Sequence, residues 1–266
     1  ENYDRAIQLR PDYAEAYYNR ARAYIGKQDE ERALADYDQA IWLQPDLADA
    51  YGNRAILHLV RGRTDQAFSD LSSAIKLKPR DLIFWTNRAN AYLTVEKYGD
   101  ALSDFDQAQR IDPGNMGIYL GRGRARLFGG DIAGSIDDFK TAVRLRPSNP
   151  YAVIWLHIAR VHLGDQDQEE LAADAKNVIR DVWPRALVDY YLGVSDAERV
   201  RSAAQGGPPQ EKAKRTCEAE FHIGEFEAHN GDPGEARKLL EAVVAKCRPY
   251  DVVYSSARAE LNFVQR

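Results

Sequence analysis

The sequence predicts an all-α chain: an α-α superhelix of antiparallel helical hairpins, closed by a C-terminal capping helix. Three observations predict it. Proline falls at Pro11, Pro45, Pro79, Pro113 and Pro147, each 34 residues after the last, and a fixed period of that length marks a stack of repeated supersecondary units. Small and aromatic residues return at constant offsets from those prolines. Ala33, Ala67, Ala101 and Ser135 form one series and Ala40, Ala74, Ala108 and Ala142 a second; Tyr17, Tyr51, Trp85 and Tyr119 form a third and Tyr37, Leu71, Phe105 and Phe139 a fourth. Within one unit the apolar positions follow helical spacing, with Tyr17, Ala21 and Tyr24 on one face and Ala33, Leu34, Tyr37, Ala40 and Ile41 on another, as two amphipathic helices require.

Taken in order, residues 1–13 read as the second helix of a truncated unit, with Tyr3, Ala6 and Ile7 in the core positions. A helix of that kind without its partner exposes an apolar face, so further residues are expected upstream of Glu1. Residues 14–147 form four regular units. Their alanines let paired helices approach closely, and the aromatics fill the space that remains. Proline ends each hairpin because it lacks an N–H and disfavours the helical conformation in the residue before it. A single hairpin cannot bury both of its faces, so neighbouring units stack. Residues 148–183 are a degenerate unit that keeps Trp155, Ala159, Leu163 and Gly164 but loses the proline. Residues 184–210 are short helices and a loop: Ser195 with Glu198 three places on predicts a capping box, and "QGGPPQ" at 205–210 interrupts regular structure. Residues 211–266 form a last hairpin, with Ile223, Gly224, Gly231, Ala236 and Leu240 in repeat-like positions, and a closing amphipathic helix.

Composition narrows the function. With 44% hydrophobic residues among 266, the chain can build a core. A net charge of −5 with basic and acidic residues interspersed gives no basic stripe for phosphates, so no nucleic-acid partner is expected. The longest apolar run, 151–156, is far short of the ~20 residues that span a bilayer, so no membrane-spanning segment is expected. The five histidines, His58, His157, His162, His222 and His229, show neither the i, i+4 histidine spacing of a helical zinc site nor an adjacent cysteine pair. Carboxylate neighbours such as Asp137 and Asp138 fall on predicted helix surfaces, and "GRGRARLFGG" at 121–130 lacks the strand a phosphate loop follows. The expectation is therefore no enzyme, no metal and no cofactor. Arg20, Arg54, Arg88 and Arg122 keep step with Asp36, Asp70, Asp104 and Asp138, which predicts a repeated architectural ion pair. Cys217 and Cys247, the only cysteines, fall at neighbouring ends of the last hairpin. They are either a disulfide, which needs Cα atoms within roughly 7 Å, or two small buried thiols.

The repeat over residues 14–147 resembles the tetratricopeptide repeat family, a solenoid of 34-residue helical hairpins. The resemblance implies a concave groove that binds a peptide or a partner protein. Asn19, Asn53 and Asn87 recur on the first-helix face that would look into it, where amides can hold an extended backbone by donating and accepting along it. The series breaks at Gly121. Tyr18, Arg22, Asn90 and Arg124 add a mixed polar surface with positive character, suited to an acidic or C-terminal peptide. The competing reading is an asparagine bonded within its own hairpin. The family's clamp for a chaperone's terminal carboxylate is not expected, because Tyr18, Arg22, Asn53, Ile83 and Asn87 lack its two lysines and last arginine. The asparagine series also resembles the arm of the enzyme that transfers O-linked N-acetylglucosamine to Ser and Thr, so the alternative is a substrate-recruiting arm of a larger enzyme.

Residues 184–264, with "DYYLGVSDAERV" and "CEAEFHIGEFEAHNGDPGEARKLLEAVVAKC", resemble the C-terminal half of NlpI-type bacterial lipoproteins. That resemblance implies a homodimeric periplasmic adaptor, anchored at the outer membrane, for proteases and cell-wall hydrolases; without it the expectation would be cytoplasmic. An oxidised cysteine pair would agree with it. The longer regular array upstream departs from the family, and no residue matches its lipid-attachment cysteine, so its anchor and dimer contacts are not carried onto positions here.

Overall fold

Each proline of the 34-residue series sits in the short turn after a helix, two positions beyond the helix's last residue, and the next helix opens three residues after the proline. The computed structural model describes residues 2–165, 167–180 and 182–264, and among these all regular structure is helical. Gln166 and Asp181, which fall in the expected 148–183 unit, and the chain ends Glu1, Gln265 and Arg266 lie outside the described residues.

The chain divides into two compact units, Glu1–Ala91 and Tyr92–Arg266. The first holds α1 (Asn2–Leu9), α2 (Ala14–Gly26), α3 (Glu30–Leu43), α4 (Ala48–Val60), α5 (Thr64–Leu77) and most of α6 (Leu82–Thr94). Its helices pack as antiparallel hairpins over Ala21, Ala33, Tyr37, Ala40 and Ala50, and over Ala48, Ala74, Ile75 and Phe84. The helix α1 buries none of its own residues. In the second unit the regular hairpins are built by α7 (Tyr98–Ile111), α8 (Met116–Phe128) and α9 (Ile132–Leu145), and α10 (Pro150–Leu163) continues them. Gly164 ends α10 in the left-handed conformation, φ 89°, which glycine adopts without the Cβ penalty. Three short helices follow, α11 (Gln168–Ala175), α12 (Arg185–Tyr191) and α13 (Ala197–Ala204), and then α14 (Pro209–Asn230), α15 (Pro233–Lys246) and α16 (Val252–Val264). The centre of this unit is Trp155, which stacks on Phe139 with centroids 6.0 Å apart and also meets Phe128 and Phe221.

Three local expectations are corrected. The cap of α13 is Asp196, not Ser195: its carboxylate accepts from the Arg199 N–H at 2.8 Å, whereas Ser195 Oγ is buried with no hydrogen-bond partner among the described residues. A carboxylate at a helix start also gains from the macrodipole, which a hydroxyl does not. The interruption at 205–210 is shorter than expected, because Pro209 already stands in the first turn of α14, where its missing N–H is no loss. Cys217 consequently lies more than two turns into α14 rather than at its start.

The periodic arginines make two sets of bonds. Arg20 grips Asp36 through Nε and Nη2 at 2.7 and 2.8 Å and reaches Asp4 through Nη1 at 2.8 Å. Arg54 repeats this with Asp70 and Asp38, and Arg122 with Asp138 and Asp106. Each arginine thus joins the carboxylate 16 residues ahead, in its own hairpin, to one 16 residues behind, in the preceding hairpin. The carboxylates ahead are buried, with Asp36 at 6% and Asp70 at 5% exposure. Ser72 takes the backward position for Arg88, accepting from Nη1 at 2.9 Å.

Cys217 and Cys247 form a disulfide with Cα atoms 6.0 Å apart, joining α14 to the C-cap of α15. The last helix, α16, lies against α15 and α14 and also returns to the start of the unit: Arg258 donates to the Thr94 carbonyl at 2.9 Å and pairs with Glu96 at 2.7 Å.

Two outcomes follow. Asp70→Ala leaves the Arg54 guanidinium with one of its three hydrogen bonds in a largely buried setting and is expected to lower unfolding free energy by about 3 kcal/mol, read from urea denaturation against Asp38→Ala, whose carboxylate is exposed and whose loss should change it by under about 1 kcal/mol. Reduction of the disulfide, which spans 30 residues of sequence, is expected to lower stability by about 3–4 kcal/mol on the chain-entropy account. Thiol titration of denatured, unreduced protein should return no free thiol.

Candidate functional site

The first helices of the repeats carry the polar residues that could meet a ligand. In the first unit Tyr18, Asn19 and Arg22 project from α2, Asn53 from α4, and Asn87 and Asn90 from α6. Asn53 Nδ2 donates to the Tyr18 hydroxyl at 3.1 Å, bonding the first helices of consecutive hairpins directly. Asn19 Nδ2 donates to the Glu15 carbonyl one turn back at 2.9 Å. The amide oxygens of Asn19 and Asn53 accept no bond among the described residues. Arg22 is exposed and lies over the Tyr18 ring, 5.8 Å from its centroid, and Tyr18 in turn meets Tyr37 at 6.0 Å. The result is a half-buried patch whose donors are largely committed and whose amide acceptors and one guanidinium face outward. The asparagine series stops at Gly121 for a steric reason: a Cβ there would overlap the Phe105 ring, so no side chain fits that position.

In the second unit the equivalent helix face is covered. Arg124 on α8 is 5% exposed, and burial pulls its guanidinium down to about 10. It lies over Trp155, 6.0 Å from the ring, at the wall of a pocket of about 350 Å³ that Leu120, Tyr151, Glu218 and Tyr250 also line. Glu218 accepts from the Tyr151 hydroxyl at 2.9 Å and from Trp183 Nε1 at 2.8 Å. Burial raises the Tyr151 hydroxyl far above its usual range, and the Glu218 charge adds to the effect. Arg124 therefore does not share the open surface of Tyr18, Asn19 and Arg22, because α14 and α16 occupy that side of the second unit.

Titratable groups collect beneath this pocket in a way the histidine spacing did not signal. His222 Nδ1 lies 3.0 Å from the Tyr191 hydroxyl, and the same hydroxyl donates to Glu225 at 2.6 Å. His229 is bonded to Glu225, and His162 Nε2 lies 3.0 Å from Glu260. A ring nitrogen of His162, one of His229 and a carboxylate oxygen of Glu225 lie within 4.8 Å of one another. These groups come from α10, α12, α14 and α16. The legible signal was Glu225 with His229 four residues on, a pair sharing one face of α14; nothing in sequence spacing joins them to His162 or Glu260. Burial lowers the His229 pKa, but its bonds to Glu225 outweigh this and bring it up to about 9. Asp138, expected on a helix surface, is buried and held by Arg122 and Arg126, so no solvent-facing carboxylate pair forms with Asp137.

Profiles of the tetratricopeptide repeat family match residues 1–28, 22–84 and 86–150, together more than half of the chain. A lipoprotein NlpI homolog of Haemophilus influenzae is 30% identical over 115 residues, which are 42% of this chain and 37% of that protein. The chain thus matches little more than a third of that relative's length. A tetratricopeptide repeat protein of Parabacteroides merdae superposes with a TM-score of 0.63 at 16% identity over 95% of this chain and 99% of its own. YrrB, described as a TPR protein with an unusual peptide-binding site, superposes with a TM-score of 0.59 at 17% identity over 73% of this chain and 98% of its own. At these identities the structures show a shared fold.

Acid stability gives a direct check on the buried cluster. Burial lowers the His222 pKa from its ordinary 6.5 to about 4. The folded state therefore disfavours its proton, and the contribution is complete above 6.5 and is lost as pH falls from 6.5 toward 4, amounting to about 3 kcal/mol. His222→Gln, whose amide nitrogen can still donate to the Tyr191 oxygen, is expected to flatten that limb when urea midpoints are compared between pH 4 and pH 7. An unchanged slope would remove His222 as its cause.

Proposed function

The chain belongs to the tetratricopeptide repeat family, and we propose from this that it is a non-enzymatic scaffold that binds an extended segment of a partner protein along the first helices of its repeats. The observation that carries the proposal is the Asn53 to Tyr18 hydrogen bond. It places the polar positions of consecutive hairpins side by side and leaves amide oxygens on the outer side, ready to accept from the N–H groups of an extended backbone. Arg22, exposed above Tyr18, supplies a positive charge and favours acidic or C-terminal segments. Asn87 and Asn90 on α6 extend the proposed set, whereas Arg124, buried in the second unit, does not belong to it.

The setting we propose is the bacterial cell envelope, with the chain acting as a periplasmic adaptor comparable to NlpI-type lipoproteins, bringing proteases or cell-wall hydrolases to their targets. The disulfide supports an oxidising compartment, and the partial likeness to the Haemophilus lipoprotein supports the class. No helix among the described residues is long and apolar enough to cross a membrane.

Capture from bacterial envelope extracts on immobilised protein tests the groove. Asn53→Ala combined with Asn87→Ala, at an unfolding midpoint close to wild type, is expected to lose most of the partner that wild type retains, and Arg22→Glu to lose acidic segments selectively. Equal recovery of every partner by wild type and both variants would show that binding occurs elsewhere.

A further inference from the structure

Four ionisable side chains in the second unit converge without a role in the proposed binding face. His162 lies near the end of α10, Glu225 and His229 share one face of α14, and Glu260 projects from α16. Glu225 and Glu260 are 2% and 0% exposed. Two carboxylates held this deep need compensating positive charge, yet no Lys or Arg is paired with either among the described residues. His162 and His229 are the groups at hand, 3.0 Å from Glu260 and 3.3 Å from Glu225. Even so, Glu260 Oε2 is buried without a hydrogen-bond partner among the described residues, so the protein alone leaves part of the cluster unsatisfied.

We propose that His162, Glu225 and His229 bind one divalent transition-metal ion, Zn²⁺ by its donor preference, with Glu260 as the neighbouring carboxylate that orients His162 and balances charge. Two imidazoles and one carboxylate are a donor set that zinc accepts, with bonds of about 2.0–2.2 Å. Tetrahedral donors on such an ion stand about 3.4 Å apart, so the present spread of up to 4.8 Å requires the side chains to close by little more than 1 Å, within reach of small rotations about their own bonds. The supporting contacts that metal ligands need are already present. Tyr191 donates to Glu225 Oε2 at 2.6 Å, leaving Oε1 on the His229 side. The Phe263 ring packs on His162 with centroids 5.0 Å apart, and the two imidazoles meet at 4.5 Å. His229 keeps 22% of its side chain open to solvent, which gives an ion a route in. The ion would replace protons as the partner of the two carboxylates, and its 2+ charge with neutral imidazoles would cancel theirs. It would also tie α10 of the repeat array to α14 and α16, across 98 residues of sequence between His162 and Glu260.

The test uses the full chain, stripped with chelator and titrated with ZnCl₂ by calorimetry. Uptake of one ion per chain with a rise in unfolding midpoint is expected. His229→Gln and His162→Gln should each weaken binding by at least about tenfold, the scale that loss of even a supporting contact reaches at metal sites. CoCl₂ added to the stripped wild-type protein should give the intense visible bands of a low-coordinate cobalt site, a readout that needs no variant to fold. Absence of stoichiometric uptake, the weak spectrum of six-coordinate cobalt, or zinc uptake unchanged in His229→Gln would overturn the site and leave a proton-linked ion-pair cluster in its place. None of these results bears on peptide capture by the first unit, so the two proposals fail separately.

Discussion

Close approach of helices at small residues is the constraint on which the whole array rests. Ala21, Ala55 and Ala89 are fully buried on the first helices, and Ala33, Ala67 and Ala101, with Ser135, are fully buried on the second. The fourth member of the first series is Gly123, where any Cβ would overlap the Phe139 ring. Interiors pack at crystal-like density, so the aromatic series Tyr37, Phe105 and Phe139 can fill the space only where the facing residue stays small. Where His157 takes the slot that Ala or Gly holds in the other units, the chain must bury an imidazole and supplies Asp167 to bind it. Regular repetition ends at that point.

Charge then fixes what small-residue packing permits. Apolar faces tolerate sliding, whereas a guanidinium that must reach one carboxylate 16 residues ahead and another 16 behind has a single satisfactory register. Ion pairs of this kind contribute modestly to net stability, because desolvation offsets the Coulomb gain. Their effect is on specificity: the forward pair aligns the two helices of a hairpin and the backward pair aligns that hairpin with the previous one. Ser72, in place of an aspartate, keeps the hydrogen bond to Arg88 without the charge.

The two units use the same helix face differently. In the first, the outer side of α2 and α4 stays half-open, with acceptors and a guanidinium available. In the second, α14 and α16 lie over α8 and α10, burying Arg124 and enclosing the His162, Glu225, His229 and Glu260 cluster. The disulfide holds α14 to the end of α15, and Arg258 holds α16 to Thr94 and Glu96. The tail therefore supplies the second unit with side chains that the repeats themselves lack. Its long-range contacts turn a surface of the array into an interior.

The sequence by itself determined the helical hairpins, their ends and the forward ion pairs, because each follows from a 34-residue period that fixes both which face is apolar and where helix must stop. It also placed Tyr18, Asn19, Arg22 and Asn53 on first helices, since helical periodicity is local. Only the tertiary structure decided what those faces meet. The Tyr18 to Asn53 bond depends on the spacing between hairpins. The burial of Arg124 and the joining of His162 to Glu260 depend on where a non-repeating tail comes to rest, and no periodicity encodes that. Asp196 took the cap expected of Ser195 because competition between adjacent acceptors is settled by backbone geometry. Local chemistry is written in residue order, whereas contacts between residues far apart in sequence arise only when the folded surfaces find one another.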